Sequence, residues 1–124
     1  MEAVKTDNAP EAIGPYSQAI AHEDMIFVSG QIPINPATGI VEGSAIEEQT
    51  ERVLKNMEAI LVAAGSSISK IVKCTVFLLD LNDFNLFNSV YGKKFRDNPP
   101  ARSTVQVARL PRDVKIEIEA IAFR

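Results

Sequence analysis

The segment Val114-Lys115-Ile116-Glu117-Ile118-Glu119-Ala120-Ile121-Ala122-Phe123 alternates as a strand does, and it asks for cover on both of its sides. Successive strand side chains point to opposite faces, so Ile116, Ile118, Ala120 and Ala122 share one face while Glu117, Glu119, Ile121 and Phe123 share the other. One face is wholly apolar. The other starts charged and ends apolar, so a single covering layer leaves part of it bare.

The rest of the chain supplies two covering helices. Ser44-Ala45-Ile46-Glu47 has the S-x-x-E form of a capping box, which predicts a helix start there. Ile46, Val53, Met57, Ile60, Leu61 and Ala64 recur at helical spacing, and Gly65 is placed to end the helix in a left-handed cap. Asn82 or Asp83 is the expected cap of a second helix. Its stripe is Phe84, Phe87, Asn88, Tyr91 and Phe95, stopped by Asn98-Pro99-Pro100.

Ala19 to His22 and Met25 to Gln31 read as a hairpin around Glu23-Asp24, and 32–39, with two prolines, as an irregular loop. Ile71 to Leu79 is apolar on both alternating faces and so central in its sheet, with Cys74 buried there. Two shorter strands are expected to close the chain, and one more is possible near Val4. The order predicts a single α+β domain over 1–124: about six strands in a mixed sheet, with two helices packed on one face. A second copy of the chain, sheet against sheet, is the expected cover for the other face.

At 124 residues and 46% hydrophobic content, one domain burying roughly two thirds of its unfolded surface is the natural outcome. A net charge of −3 argues against affinity built on phosphate neutralisation, so nucleic acid is not an expected partner. Cys74 is the only cysteine and His22 the only histidine, which excludes an internal disulfide and a Cys₄ or Cys₂His₂ metal site. Nothing near Met1 has the pattern of a signal or transit peptide, and no apolar run reaches membrane-spanning length, so a reduced, cytoplasmic protein is expected.

Chemistry concentrates in few residues. Arg102 follows the stiff pair Pro99-Pro100 and precedes the hydroxyls of Ser103 and Thr104, a setting that can aim a guanidinium at a small carboxylate. Glu117 and Glu119 share a strand face, and because Ile121 and Phe123 make its far end apolar, Glu119 is the expected carboxyl of raised pKa and the candidate general base. Asn88 interrupts an apolar stripe and either pairs with nearby backbone or faces a pocket. Ser29 lies opposite Ile26 and Val28, beside Gly30, where a ligand could approach the backbone. Tyr16 follows a Gly-Pro turn, where burial with a partnered hydroxyl is the ordinary outcome. Neither Ser17 nor Ser29 has a histidine for a hydrolase triad, since His22 belongs to an exposed turn.

Ala12-Ile13-Gly14-Pro15-Tyr16-Ser17-Gln18, Val28-Ser29-Gly30-Gln31-Ile32-Pro33, Asn56 through Ala64-Gly65, Val72-Lys73, Asp80-Leu81-Asn82-Asp83-Phe84, Pro100-Ala101-Arg102-Ser103, Val107-Ala108-Arg109-Leu110-Pro111 and Ile116 through Ala122 occur in this order. Together they resemble the RidA (YjgF-type) reactive-intermediate deaminases, nearly end to end. The resemblance implies a chorismate-mutase-like α+β fold, a homotrimer, and a cleft at each subunit interface. It further implies cofactor-free hydrolysis of 2-aminoacrylate and related enamines and imines to 2-oxo acids and ammonia. Arg102 would hold the substrate carboxylate and Glu119 would position or deprotonate the attacking water. Tyr16, Ser29, Gly30 and Asn88 would complete the pocket. Thr104 stands where many members carry Cys, so a thiol's contribution at that position is absent. Two competing expectations are a non-catalytic 2-oxo acid sensor that uses the same Arg102 clamp, and the translation-inhibiting endoribonuclease activity ascribed to relatives.

Overall fold

The computed structural model describes residues 1–124. Its elements are β1 (Glu2–Val4), β2 (Ala19–His22), β3 (Met25–Gln31), α1 (Ile46–Ala63), β4 (Ile71–Leu78), α2 (Phe84–Lys94), β5 (Ala101–Gln106) and β6 (Ile116–Phe123). They form one six-stranded sheet ordered β1-β2-β3-β6-β4-β5, mixed because β4 and β5 run parallel across α2 while the other pairs are antiparallel. The last strand enters the middle of the sheet, between β3 and β4. Its eight residues match β4 in length, against the expectation of a short closing strand.

Both helices lie on one face. Val53, Leu54, Met57, Ile60 and Leu61 of α1 and Phe87 of α2 pack with Ile26, Val28, Cys74, Val76, Leu78, Ile116 and Ile118 in a single buried cluster. Burying one such side chain fully stabilises the fold by about 1.5–3 kcal/mol, and truncation of Met57 or Ile118 to Ala would cost about 2–5 kcal/mol.

Helix α1 ends as its sequence requires. Gly65 takes φ +80°, Ser66 N–H donates to Leu61 O at 2.8 Å and Gly65 N–H to Val62 O at 3.0 Å, the paired bonds of a Schellman cap. Its start differs by one residue from the expected box. Ala45 is the N-cap, and the Glu48 carboxylate accepts its N–H at 3.3 Å, so the residue reaching back is Glu48 and not Glu47. Before α2, Asp80 rather than Asn82 or Asp83 provides the side-chain cap, accepting Asn82 N–H at 2.9 Å and opening a 3₁₀ turn at Leu81–Asp83 that feeds the helix.

The second sheet face has no layer over it. Phe27 is 45% exposed and Phe123 42%. Cross-strand rows on this face run Val105–Phe77–Glu117, Ser103–Thr75–Glu119 and Lys73–Ile121–Phe27–Ile20. It is a broad apolar surface carrying two carboxylates. No helix is long and apolar enough to cross a membrane.

Candidate active site

Arg102 lies on the edge strand β5 directly beside Cys74 of β4, and both side chains point toward the helices. Nη1 donates to Asn88 Oδ1 at 2.9 Å. The guanidinium carbon stands 4.8 Å from the ring centroid of Tyr91, 5.2 Å from Phe87 and 5.5 Å from Phe84. These residues occur at 84, 87, 88 and 91, so one face of α2 forms an aromatic trough with a single amide at its rim. The guanidinium is half-buried and belongs to no ion pair. With Nη1 taken by a neutral amide, Nε and Nη2 remain as a fork suited to a carboxylate. Asn88 thus pairs with Arg102 rather than with nearby backbone. Thr104, two residues along β5 on the same face, has a buried Oγ1 without a partner.

Elsewhere β3 carries a register shift between Val28 and Gln31 where it pairs with β6, so Ser29 and Gly30 together oppose Glu119. Ser29 Oγ donates to Ser17 O at 2.6 Å and its N–H to Gln18 O at 3.0 Å, which ties Tyr16 and Ser17 to the bulge. With its proton committed to Ser17, the Ser29 hydroxyl can only accept from a ligand. Gly30 lets Glu117 approach closely, since an added Cβ would fall 2.9 Å from Glu117 Cδ and nearer still to its carboxylate. Tyr16 is 54% exposed, contrary to the burial expected of it, and with Gly30, Pro111 and Arg112 it lines a concavity of about 290 Å³.

The carboxyl held above the usual range is Glu117, whereas the sequence pointed to Glu119. Burial pushes Glu117 up, and the neighbouring Glu119 charge adds to the effect. Glu119 itself is exposed beside Thr75. Glu117 packs over Gly30, a contact between β3 and β6 that strand periodicity alone does not reveal. Tyr91, Phe84 and Phe87 were also legible only as a core stripe. Their spacing around Asn88 was the signal that they form a trough.

The decisive relationship is separation. Arg102, Asn88 and Thr104 face the helices, whereas Glu117 and Glu119 stand on the open side of the sheet, with the Ser29–Gly30 bulge opposite Glu119. Neither of the two concavities that Tyr16 lines, about 460 and 290 Å³, includes Arg102. One chain therefore carries the two groups of residues on opposite faces of its sheet.

The family model described as Endoribonuclease L-PSP matches residues 6–124. A RutC family protein of Pyrococcus abyssi is 54% identical over 123 residues, 99% of this chain and 97% of that one. The chain belongs to the RidA (YjgF-type) family. Reactive Intermediate Deaminase A, chloroplastic, of Arabidopsis thaliana is 51% identical over 121 residues, spanning 98% of this chain and 65% of that protein. The crystal structure of Escherichia coli TdcF with bound serine superposes with a TM-score of 0.96 at 50% identity, covering 100% of this chain and 99% of that one. Membership supports a deaminase role in general terms, on the α+β architecture described above.

Proposed function

We propose that this RidA-family chain is a cofactor-independent imine deaminase whose site is completed between protomers of a homotrimer. The observation that carries the reading is the placement of Arg102 and Glu117 on opposite faces of one sheet, each half-buried and each lacking the partner the other would bring. A neighbouring copy covering the open face would set its Arg102, Asn88 and Thr104 against Tyr16, Ser29, Gly30, Glu117 and Glu119. That arrangement also removes Phe27 and Phe123 from water. The TdcF structure with serine favours a small amino-acid-like ligand, which is the right size for such a cleft.

In this site the Nε–Nη2 fork of Arg102 holds the carboxylate of a 2-imino acid, formed when 2-aminoacrylate or a related enamine tautomerises. The imine carbon is already electrophilic, so orientation, a water and a proton carrier suffice. The Glu117 carboxylate takes a proton as the water oxygen bonds to carbon, and the C=N electron pair moves to nitrogen. Glu117 returns that proton to nitrogen to give the carbinolamine, then takes the remaining hydroxyl proton and passes it to nitrogen, so that C=O forms as the C–N bond breaks and ammonia leaves with the 2-oxo acid. Ser29, an acceptor only, receives a hydrogen from the imine nitrogen or the water. Thr104 presents a hydroxyl, not a thiol, two residues along β5 from Arg102. Glu119 supplies the charge that keeps Glu117 basic.

Arg102→Ala tests the assignment. With 2-aminoacrylate generated in a coupled assay, 2-oxo acid release should fall to background while the circular dichroism of the fold is kept. Activity within about tenfold of the parent, which is below the weight of a charge-assisted anchor, refutes the role. Parent protein that binds 2-oxo acids yet turns over no imine would instead make the site a sensor.

A further inference from the structure

Under the guanidinium, three elements meet through one side chain. Cys74 of β4 and Arg102 of β5 are direct neighbours in the parallel ladder. Tyr91 of α2 sends its hydroxyl down to the Cys74 thiol while its ring lies under Arg102. Asn88, one helical turn earlier, takes Nη1. The ring is itself wedged between Phe87 and Phe95, with centroids 5.2 and 4.5 Å away. Tyr91 is only 5% exposed, and its buried hydroxyl, close to the Cys74 thiol, makes no hydrogen bond. We propose that Tyr91 is the positioning residue of the Arg102 anchor: seated on Cys74 and wedged by two rings, it holds the guanidinium plane so that the Nε–Nη2 edge faces the ligand.

The chemistry of this seat is neutral. Burial pushes both the Cys74 thiol and the Tyr91 phenol above their ordinary values, so neither carries charge at neutral pH, and Asn88 is an amide. A carboxylate in this place would pair with the guanidinium and compete with an anionic ligand for the same donors. Here a ring face, a thiol contact and an amide oxygen fix direction while the whole positive charge stays available. Stacking under the plane also leaves the edge free, which is where a carboxylate binds in two parallel bonds.

This inference rests on the Arg102 reading above, and pyruvate binding separates the two. Calorimetric titration of pyruvate is compared across the parent, Tyr91→Phe, Cys74→Ala, their double variant and Tyr91→Leu. Tyr91→Phe and Cys74→Ala should each weaken pyruvate by about threefold to tenfold, and the double variant should be no worse than the weaker-binding single one, because both break one contact. Tyr91→Leu should lose about tenfold or more, with Tyr91→Phe recovering much of it, and KM for imine should follow Kd while kcat changes by less than about twofold. The Arg102 Nε–H resonance, shifted by the ring currents around it, should move part-way toward an ordinary position in Tyr91→Leu and stay in place in Tyr91→Phe.

Folded variants that bind pyruvate like the parent, or single effects that multiply in the double variant, would overturn the positioning role. If Tyr91→Leu fails to fold, the Tyr91→Phe and Cys74→Ala cycle decides by itself. Pyruvate binding that responds to Tyr91 in a parent without imine turnover would sink the deaminase reading and keep this one. Binding indifferent to Arg102→Ala would remove both.

Discussion

Arg102 and Asn88 meet from different elements, Nη1 on β5 donating to Oδ1 on α2 at 2.9 Å, and this is the only hydrogen bond the guanidinium side chain makes. The pairing explains why a polar residue interrupts the aromatic stripe of α2. The amide oxygen accepts the Nη1–H bond and adds no charge, so it directs the cation without neutralising it. Asn88→Asp should reverse that balance. The new carboxylate would form an ion pair with Arg102 in a half-buried setting, holding thermal stability at or above the parent while weakening 2-oxo acid binding by about tenfold or more. Thermal unfolding and pyruvate titration on the same sample check both halves, and unchanged affinity would mean that Arg102 does not face the ligand.

Gly30 and Glu117 are in contact at the one place where β3 slips against β6. A methyl group at Gly30 would collide with the far end of the Glu117 side chain, which can swing aside, rather than with backbone. Gly30→Ala should therefore fold, with Tm within about 5 °C of the parent, while displacing the carboxylate and cutting kcat by about 10²-fold or more. A variant that loses stability and keeps kcat would show that Gly30 serves only the fold.

The architecture was legible because hydrophobic period reports burial directly. The stripe from Ile46 to Ala64 and the two-sided apolar run of β4 each named their place, and β6 announced an uncovered face. Boundaries set by hydrogen bonds were less so: Ser44-Ala45-Ile46-Glu47 satisfied the capping pattern, yet the chain used Ala45 and Glu48, one residue later. In the site, Arg102 could be found from Pro99-Pro100 because local stiffness is a sequence property. The choice between Glu117 and Glu119 could not. They share a strand face, and only the tertiary contact with Gly30 distinguishes them.

If each cleft takes Arg102 from one protomer and Glu117 from the next, two inactive variants should rescue each other. Arg102→Ala and Glu117→Gln, unfolded together and refolded as a mixture, give interfaces in which about a quarter pair an intact Arg102 with an intact Glu117. About a quarter of parental activity should return, with light scattering reporting the same trimer throughout. Absence of rescue in properly mixed trimers would place both residues in one protomer's site, against the sheet geometry. Phe27→Lys gives the complementary result: a charge on the open face should release monomers and abolish turnover while leaving the helical signal intact, because neither half-site works alone.

Glu117 should set the acidic limb of activity. Burial and the Glu119 charge raise its carboxyl above the ordinary value of 4.5, so the base form develops later in pH than it would for a solvated glutamate. kcat/KM should rise with pH through that elevated value and then level, and Glu119→Gln should move the limb to lower pH by removing the neighbouring charge. Stability runs the other way. Between 4.5 and the raised native value the folded chain binds more protons at Glu117 than the unfolded chain does, so this residue's contribution is complete below 4.5 and is lost as pH rises through the native value. Glu117→Gln removes the ionisation, so its Tm relative to the parent should climb as pH goes from 4 toward neutrality, even as turnover falls by about 10²-fold or more. Paired melts and initial rates across pH 4 to 8 read both trends. A Tm difference that stays flat with pH would show that Glu117 carries no raised pKa, and the proton-transfer role would then have to move to Glu119.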